Sequence, residues 1–335
     1  MSIRASAVKI EWTADLPIYS SQSYLKTASD EYGWIGGIGS SGKLCCVLPY
    51  YVVRLSMFQL IRFTSETIML AGEMSIEEER VFLNAVIDYF RCTGADVIIP
   101  STFTSLFRTY PDGALAVPYG SYIVDLTQSE EMLWNNVHPK HRNKIRNGTK
   151  KGVIIQDGIE HVDIVDSLVQ DSFRRSTKGF LNTMRLGIRM KADSIKRQAL
   201  SLGDYVKIYI AESEGEVQGC AVIPFSNYSA YYMHGGSRAD STTGAMNLLQ
   251  WEAICSFRRL GVKYYNFVGT RINPEAGSKQ EGLSMFKQRF GGELKRGYMW
   301  KYSFHPLKNY LYSIATKIRS GGDIVDQERH KLKDV

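Results

Sequence analysis

The densest group of chemically active side chains lies in residues 138–151, called the basic segment below. It holds six lysines and arginines and two histidines but no acid, so its positive count is close to the net charge of the whole chain. On a helix, Lys140 and Lys144 share one face, and Arg142 and Arg146 share another. Such a surface can bind the phosphates of a nucleotide diphosphate or an RNA backbone, although charge runs are also typical of solvated helices. We interpret the segment as a phosphate-binding surface.

A second group lies in residues 282–292, a short run bounded by glycines. Phe286 and Phe290 are four residues apart and would anchor one helical face in the core. Lys287 and Arg289 would then point elsewhere, towards a cleft. A cation held beside aromatic side chains can stabilise charge that develops on a carbonyl oxygen. The alternative is an ordinary amphipathic turn with surface cations.

The elements that must position these groups occur in two similar runs of hairpin, helix and strand. Aligning Gly94 with Gly261, which end the two helices, gives an offset of 167 residues. The first run comprises a hairpin over 34–53, a helix Ile76–Cys92 and a strand Asp96–Ile99, and the second a hairpin over 206–225, a helix Ala245–Leu260 and a strand Val262–Val268. This favours a duplicated α/β (α+β) fold with mixed, twisted sheets flanked by helices.

Further helices are predicted between and after the two runs. Thr127 and Glu130 have the spacing of a capping box, the basic segment restarts a helix at Pro139, and another helix is expected over 161–174. Near the end of the chain, one helical face carries apolar residues, so an amphipathic helix is expected to dock on the body through them: Leu307, Leu311, Ile314 and Ile318.

Size and composition indicate a globular protein with one large or two medium domains. The chain has 335 residues, with 41 Lys and Arg against 34 Asp and Glu. Its five cysteines are odd in number and lack a Cys-x-x-Cys spacing, which favours a reducing compartment over a disulfide framework. No signal peptide is visible, and the most apolar stretch, Leu44–Val53, is too short to span a membrane. We therefore expect a cytoplasmic protein.

Three motifs give the sequence a resemblance to the Fem (FemABX) aminoacyltransferases. They are Asn266-Phe-Val-Gly269 followed by Gly282-Leu-x-x-Phe-Lys-x-x-Phe-Gly-Gly292, Pro139-Lys-x-Arg-x-Lys-Ile-Arg-x-x-x-Lys-x-Gly152, and Tyr231-Tyr-Met-His-Gly-Gly-Ser237. The resemblance covers residues 121–305 well and the N-terminal part only by pattern. It implies two tandem domains like the Gcn5-related acetyltransferases (GNAT): 1–120 plus 306–335, and 121–305.

The resemblance also implies an activity and its partners. Fem proteins transfer an amino acid from aminoacyl-tRNA to an amine of a peptidoglycan precursor, forming an amide. The expected partners are aminoacyl-tRNA, a nucleotide- or lipid-linked cell-wall precursor and, peripherally, the inner face of the cytoplasmic membrane. No cofactor is expected beyond the tRNA-borne donor.

For individual residues, the resemblance places Lys287 at the signature lysine, beside the reacting ester. Asn266 stands where several relatives carry an acid, and His234 where an aromatic hydroxyl is common, so His234 is a candidate base or a satisfied structural residue. We expect Lys287 and His234 to be catalytic and the following residues to bind substrate: Lys140, Arg142, Lys144, Arg146, Arg174, Arg175, Tyr232, Asn266 and Arg289.

Two other functions remain open. An acyl-CoA-dependent N-acyltransferase of surface polysaccharide synthesis would use the same fold, but its pyrophosphate loop would be Arg238–Ala245, which has the wrong spacing and an acid, Asp240. A non-catalytic module that binds RNA or a membrane surface would use the basic segment together with Arg54–Arg62.

Overall fold

The computed structural model describes residues 3–55, 58–101, 104–176 and 194–333. The chain divides into two compact units. Unit 1 comprises Met1–Thr13, Tyr19–Gly120 and Arg296–Val335, and unit 2 comprises Ala14–Ile18 and Ser121–Lys295.

Unit 1 is built on a mixed sheet in the order β1-β2-β3-β4-β6-β14, with β5 paired to β3. Its strands are β1 (Arg4–Val8), β2 (Tyr32–Ile38), β3 (Leu44–Leu55), β4 (Phe58–Phe63), β5 (Ile68–Met69), β6 (Val97–Ile98), the first part of β7 (Leu115–Asp125) and most of β14 (Glu293–Ser303). Its helices are α1 (Gln22–Ala28), α2 (Ile76–Arg91), α9 (Pro306–Ser320) and α10 (Ile324–Lys333). Helix α2 begins at a capping box formed by Ser75 and Glu78, and its apolar face, including Phe82 and Phe90, is buried in the core.

Unit 2 contains a four-stranded antiparallel sheet and a parallel strand pair. The sheet order is β12-β10-β9-β8, and β11 pairs in parallel with β13. The strands are β8 (Ile154–Asp157), β9 (Val206–Ser213), β10 (Glu216–Pro224), β11 (Ser229–Tyr231), β12 (His234–Ser237) and β13 (Tyr264–Thr270). The helices are α3 (Glu130–Asn136), α4 (Pro139–Lys150), α5 (Val162–Ser176), α6 (Ser194–Leu202), α7 (Ala245–Arg259) and α8 (Lys279–Gln288).

The predicted mixed α/β fold and its two similar runs are confirmed. In unit 1 the hairpin β2–β3 is antiparallel, and α2 connects β4 to the parallel strand β6. In unit 2 the hairpin β9–β10 is antiparallel, and α7 connects the segment containing β11 to the parallel strand β13. Each unit therefore repeats a hairpin followed by a helical crossover between parallel strands.

Two local predictions were wrong. Thr127 does not cap α3, because Ser129 is the N-cap and its side chain accepts from Met132 N, while Thr127 donates to Asp125 instead. The apolar face of α9 does not dock on the body. Its residues remain exposed: Leu307 73%, Leu311 41%, Ile314 39% and Ile318 68%.

Candidate active site

The candidate site in unit 2 lies where the chain passes from β11, which pairs with β13, to β12, which pairs with β10. Strand β11 pairs in parallel with β13, with Tyr231 opposite Asn266. Only Tyr232 and Met233 separate β11 from β12, which instead pairs antiparallel with β10. Tyr232 N still donates to Asn266 O, at 2.9 Å, but Met233 N donates to Val222 O, at 3.2 Å. The two pairings therefore diverge at this dipeptide, next to the end of β13.

The end of β13 has an unusual backbone, fixed by Asn266. Val268 has φ +54°, a left-handed conformation that a β-branched residue rarely adopts and that stores about 1–3 kcal/mol. Asn266 Oδ1 accepts a hydrogen bond from Val268 N at 2.7 Å and another from Ser121 Oγ at 2.6 Å. The amide of Asn266 thus holds the backbone distortion in place, a role that its position in the motif did not reveal.

Lys287 contacts the same distorted backbone from helix α8. The helix begins at its N-cap Ser278, and Lys287 lies in its last turn. Lys287 Nζ donates to Val268 O at 3.1 Å and to Gly269 O at 2.9 Å. Burial lowers the pKa of Lys287 from 10.5 to about 8, because removal from water disfavours the charged amine. At neutral pH the group remains largely an ammonium ion, held against two carbonyls with a third N–H to donate.

Tyr232 lies in the dipeptide where the two pairings diverge, and His234 is the first residue of β12. Both side chains are uncharged at neutral pH. Burial lowers the pKa of His234 from 6.5 to about 4 and raises the pKa of the Tyr232 phenol. A Cβ on Gly235 would lie 1.9 Å from Tyr232 Oη, so a glycine is required for the phenol to rest against the backbone. A neutral imidazole can accept a proton, and a neutral phenol can donate a hydrogen bond.

The basic segment forms helix α4, and its buried face is apolar. His141 is 2% exposed, with Nε2 3.2 Å from Phe286 O and its ring 4.8 Å from that of Phe290. Burial lowers the pKa of His141 to about 4, so it is a neutral anchor and not one of the surface cations counted in the sequence. Ile145 and Gly148 complete the buried face.

The cations of α4 lie on its outer side. Lys140, Lys144 and Arg146 are exposed and Arg142 is half-buried, with the Arg146 guanidinium 5.6 Å from the ring centroid of Trp134. The helix therefore presents a positive surface to solvent, and Arg146 also lies over the ring of Trp134.

Helix α4 is fixed to both helices of the site by close backbone contacts. His138 N donates to Arg289 O at 2.9 Å, which joins the start of the basic segment to the end of α8. Gly244, the N-cap of α7, has φ +96°, and a Cβ there would lie 2.1 Å from Lys144 O. The Lys287 helix and the basic segment are thus neighbours.

Arg174 and Arg175, two of the predicted substrate-binding residues, lie in the last turn of α5. Arg175 is exposed, and its guanidinium donates to Ser237 O, at the end of β12. The side chain of Arg174 and residues 177–193 lie outside the described residues. The Arg289 guanidinium is 3.0 Å from Met285 Sδ on its own helix, so its backbone carbonyl rather than its charge contacts the basic segment.

The predicted pyrophosphate loop is occupied by contacts within the protein. Arg238 pairs with Glu216 at 2.8 Å and with Asp240 at 3.1 Å. Thr242 N donates to Gln218 Oε1 at 3.0 Å. The guanidinium and one amide of this loop are therefore already engaged within the protein.

The sequence reasoning missed Ser121, Val268 and Gln218. None lies in a charged or aromatic pattern. Ser121 and Gln218 matter because the fold brings them to Asn266 and Thr242, far away in the chain, and Val268 because of its backbone conformation. Within the described ranges, no cluster of three or more His, Cys, Asp or Glu side chains could hold a metal ion.

Comparisons with known proteins agree with this architecture. Residues 139–280 match the family model described as acetyltransferase (GNAT) domain. The crystal structure of FemX has a TM-score of 0.65 at 13% identity, covering 87% of this chain and 93% of that chain. The L-PGS structure from Bacillus licheniformis has a TM-score of 0.52 at 11% identity, covering 88% and 91%.

A third structure, the C-terminal domain of a putative lysylphosphatidylglycerol synthetase from Agrobacterium fabrum, has a TM-score of 0.51 at 16% identity, covering 88% of this chain and 91% of that chain. A search of the curated proteins finds no match. The chain thus has the mixed α/β fold of tandem GNAT-like acyltransferases. Its resemblance to Fem proteins is confirmed at the level of the fold, which is that of FemX.

Proposed function

We propose that this protein transfers an aminoacyl group from aminoacyl-tRNA to an amine of a cell-envelope precursor. The amine nitrogen attacks the ester carbonyl and forms a C–N bond, the C–O bond to the tRNA ribose breaks, and the released hydroxyl takes the proton that the amine loses. The ester is already activated, so no further energy source is needed. Alignment of the two reactants can lower the barrier by roughly 7–11 kcal/mol, more than a single base supplies.

The observation that carries the proposal is the position of Lys287. Its ammonium is bonded to Val268 O and Gly269 O, at the backbone distortion where the β11–β13 pairing ends. A cation fixed there can donate its remaining N–H to the oxygen of the ester or to the departing ribose oxygen. Stabilisation of such charge by one fixed donor is worth about 3–4 kcal/mol.

The neutral side chains of Tyr232 and His234 support acceptor chemistry. An attacking amine must be uncharged, and the buried environment that lowers the pKa of His234 to about 4 would favour a neutral amine in the same way. His234 has too low a pKa to hold a proton at pH 7, so we assign it a hydrogen bond to the acceptor and a brief role in passing on its proton.

The basic segment supports an anionic carrier. Lys140 and Lys144 are exposed on a helix anchored beside α8, so phosphates bound there would lie near the Lys287 helix. An acyl-CoA donor is less well supported, because Arg238 is paired with two carboxylates and Thr242 N is bonded to Gln218.

The test uses tRNA charged with a mixture of labelled amino acids and, as acceptors, a nucleotide-linked and a lipid-linked peptidoglycan precursor. New amide mass on the acceptor is the readout. We expect Lys287→Ala to lower the transfer rate by about 10²–10³-fold. Lys263→Ala, an exposed lysine in the same unit, is the matched control and should retain full activity.

Two results would contradict the proposal. Full transfer by a Lys287→Ala protein with an unchanged circular dichroism spectrum would remove Lys287 from the reaction. Acylation of the acceptor with acetyl-CoA, in the absence of tRNA, would assign the donor to the CoA alternative.

A further inference from the structure

Helix α9 in unit 1 turns its apolar side outward. The exposed residues follow helical spacing and form one stripe, the α9 stripe: Leu307 73%, Tyr310 63%, Leu311 41%, Ile314 39% and Ile318 68% exposed. Soluble helices normally bury such a face, and large exposed apolar patches mark interaction surfaces. The α9 stripe therefore needs an explanation beyond the fold of unit 1.

The orientation of α9 is fixed from its opposite, more polar side. Tyr312 is 6% exposed and packs in the apolar cluster of unit 1. Ser313 donates to Asp326 at 3.1 Å and lies 3.4 Å from Lys301 Nζ. Lys301 is 1% exposed and pairs with Asp323 at 3.0 Å and with Asp326. Turning the helix to bury its stripe would expose Tyr312 and remove Ser313 from Lys301 and Asp326.

The charge around the α9 stripe favours an anionic lipid surface over a second copy of the helix as its partner. Residues 305–320 contain Lys308, Lys317 and Arg319 and no Asp or Glu. Lys308 and Lys317 are exposed, and Lys308 also reaches Asp96 at 2.7 Å. An antiparallel pair of two copies of α9 would bring these like charges together, whereas an anionic lipid surface would attract them.

The dimensions and side chains of α9 fit a lipid interface. Its 15 residues extend roughly 22 Å along the axis, too short to cross a bilayer but suited to lying in its plane. Tyr310 has the apolar ring and polar tip typical of side chains at membrane interfaces. No helix in the described ranges has both the length and the hydropathy required to cross a bilayer.

We propose that the α9 stripe docks unit 1 onto a membrane surface that contains anionic lipid, with α9 lying parallel to the bilayer. This surface is independent of the transfer reaction proposed for unit 2, and it can be tested without any substrate of that reaction.

The experiment is co-sedimentation of the full chain with vesicles. One set contains equal amounts of phosphatidylcholine and phosphatidylglycerol, and the other contains phosphatidylcholine alone. The stripe variant carries Leu307→Gln and Leu311→Gln. The matched control carries Leu200→Gln and Leu260→Gln in unit 2; Leu200 lies in α6 and is 61% exposed, and Leu260 is the C-cap of α7 and is 51% exposed. All four positions are exposed, so both proteins should unfold at the wild-type temperature.

We expect the wild type to bind the anionic vesicles, and added salt to weaken that binding. The stripe variant should bind at least about tenfold more weakly, because two leucine side chains no longer leave water, and the control variant should bind like the wild type. The proposal is overturned if the wild type stays in the supernatant with anionic vesicles. It is equally overturned if, without lipid, the wild type is a dimer and the stripe variant a monomer, and neither protein binds vesicles.

Discussion

Lys287 has a charged amine in a largely buried position, and this burial lowers its pKa. Removal from water favours the neutral amine, while two backbone carbonyls accept hydrogen bonds from its Nζ. The balance leaves a pKa of about 8, close enough to neutrality for the group to gain or lose its proton under working conditions. Groups with this property are over-represented at functional sites.

Lys287 should make the stability of the protein depend on alkaline pH. Between pH 8 and 10.5 the folded state has released the proton that the unfolded state still holds, so the unfolding free energy rises with pH. The rise is at most about 3 kcal/mol, at about 1.4 kcal/mol per pKa unit. Urea unfolding of the wild type and of Lys287→Met across this range measures the rise: the unfolding free energy of the wild type should increase with pH relative to that of the variant. Parallel curves for the two proteins would contradict the shifted pKa, and Lys263→Met, at an exposed position, should show no such change.

At this scale the sequence predicted a candidate catalytic residue, Lys287, but not its surroundings. Lys287 stands in a motif, so the resemblance to a family was sufficient to select it. The positive φ of Val268 and the bond from Ser121 to Asn266 depend on chain segments about 145 residues apart, and no local pattern encodes them. His141 looked like a cation in a basic run, although its place on the face shared with Ile145 was the available signal for burial.

At the scale of elements, glycine determines how closely α4 and α7 approach. Gly244 has φ +96°, and a Cβ would lie 2.1 Å from Lys144 O. The contact seats the basic segment on the start of α7, where an added side chain would force the two helices apart. The position of the candidate phosphate surface therefore depends in part on one residue without a side chain.

Gly244→Ala should lower the unfolding free energy by about 2–4 kcal/mol, from the left-handed conformation and the overlap together. Gly152→Ala is the matched control, because Gly152 has φ +68° but no atom within 4 Å of the added Cβ. Its loss should be about 1–2 kcal/mol, from the backbone alone. Chemical denaturation gives both values, and equal losses for the two variants would show that the close approach contributes nothing.

Helix periodicity was a good guide to where elements lie and a poor guide to which face they bury. The helices predicted over Ile76–Cys92 and Ala245–Leu260 end within one residue of α2 and α7. The same rule assigned the wrong face to α9, because Tyr312 packs in the apolar cluster of unit 1 and Ser313 bonds to the Lys301–Asp326 pair from the other face. A polar anchor of this kind comes from residues on three separate elements and leaves no periodic signal.

At the scale of the whole molecule, the duplicated order of elements was readable because each unit repeats the same hairpin and crossover. Glycines after both helices made the two runs comparable despite their different side chains. The excess of positive charge was also readable and was located in the basic segment, but which face of that helix is buried depends on the packing of His141 and Ile145. The chain carries 41 basic and 34 acidic residues, so a modest surplus acts through one exposed helix.

That concentration of charge predicts how the proposed binding of tRNA responds to salt. Each phosphate contact contributes about 0.7–0.9 to the slope of log affinity against log salt, so Lys140→Gln with Lys144→Gln should reduce the slope by roughly 1.5. Fluorescence anisotropy of labelled tRNA over a salt series measures it. Lys26→Gln with Lys43→Gln removes the same charge from exposed positions of unit 1 and should leave the slope unchanged. Equal reductions in both double variants would mean that net charge, and not the basic segment, attracts the nucleic acid.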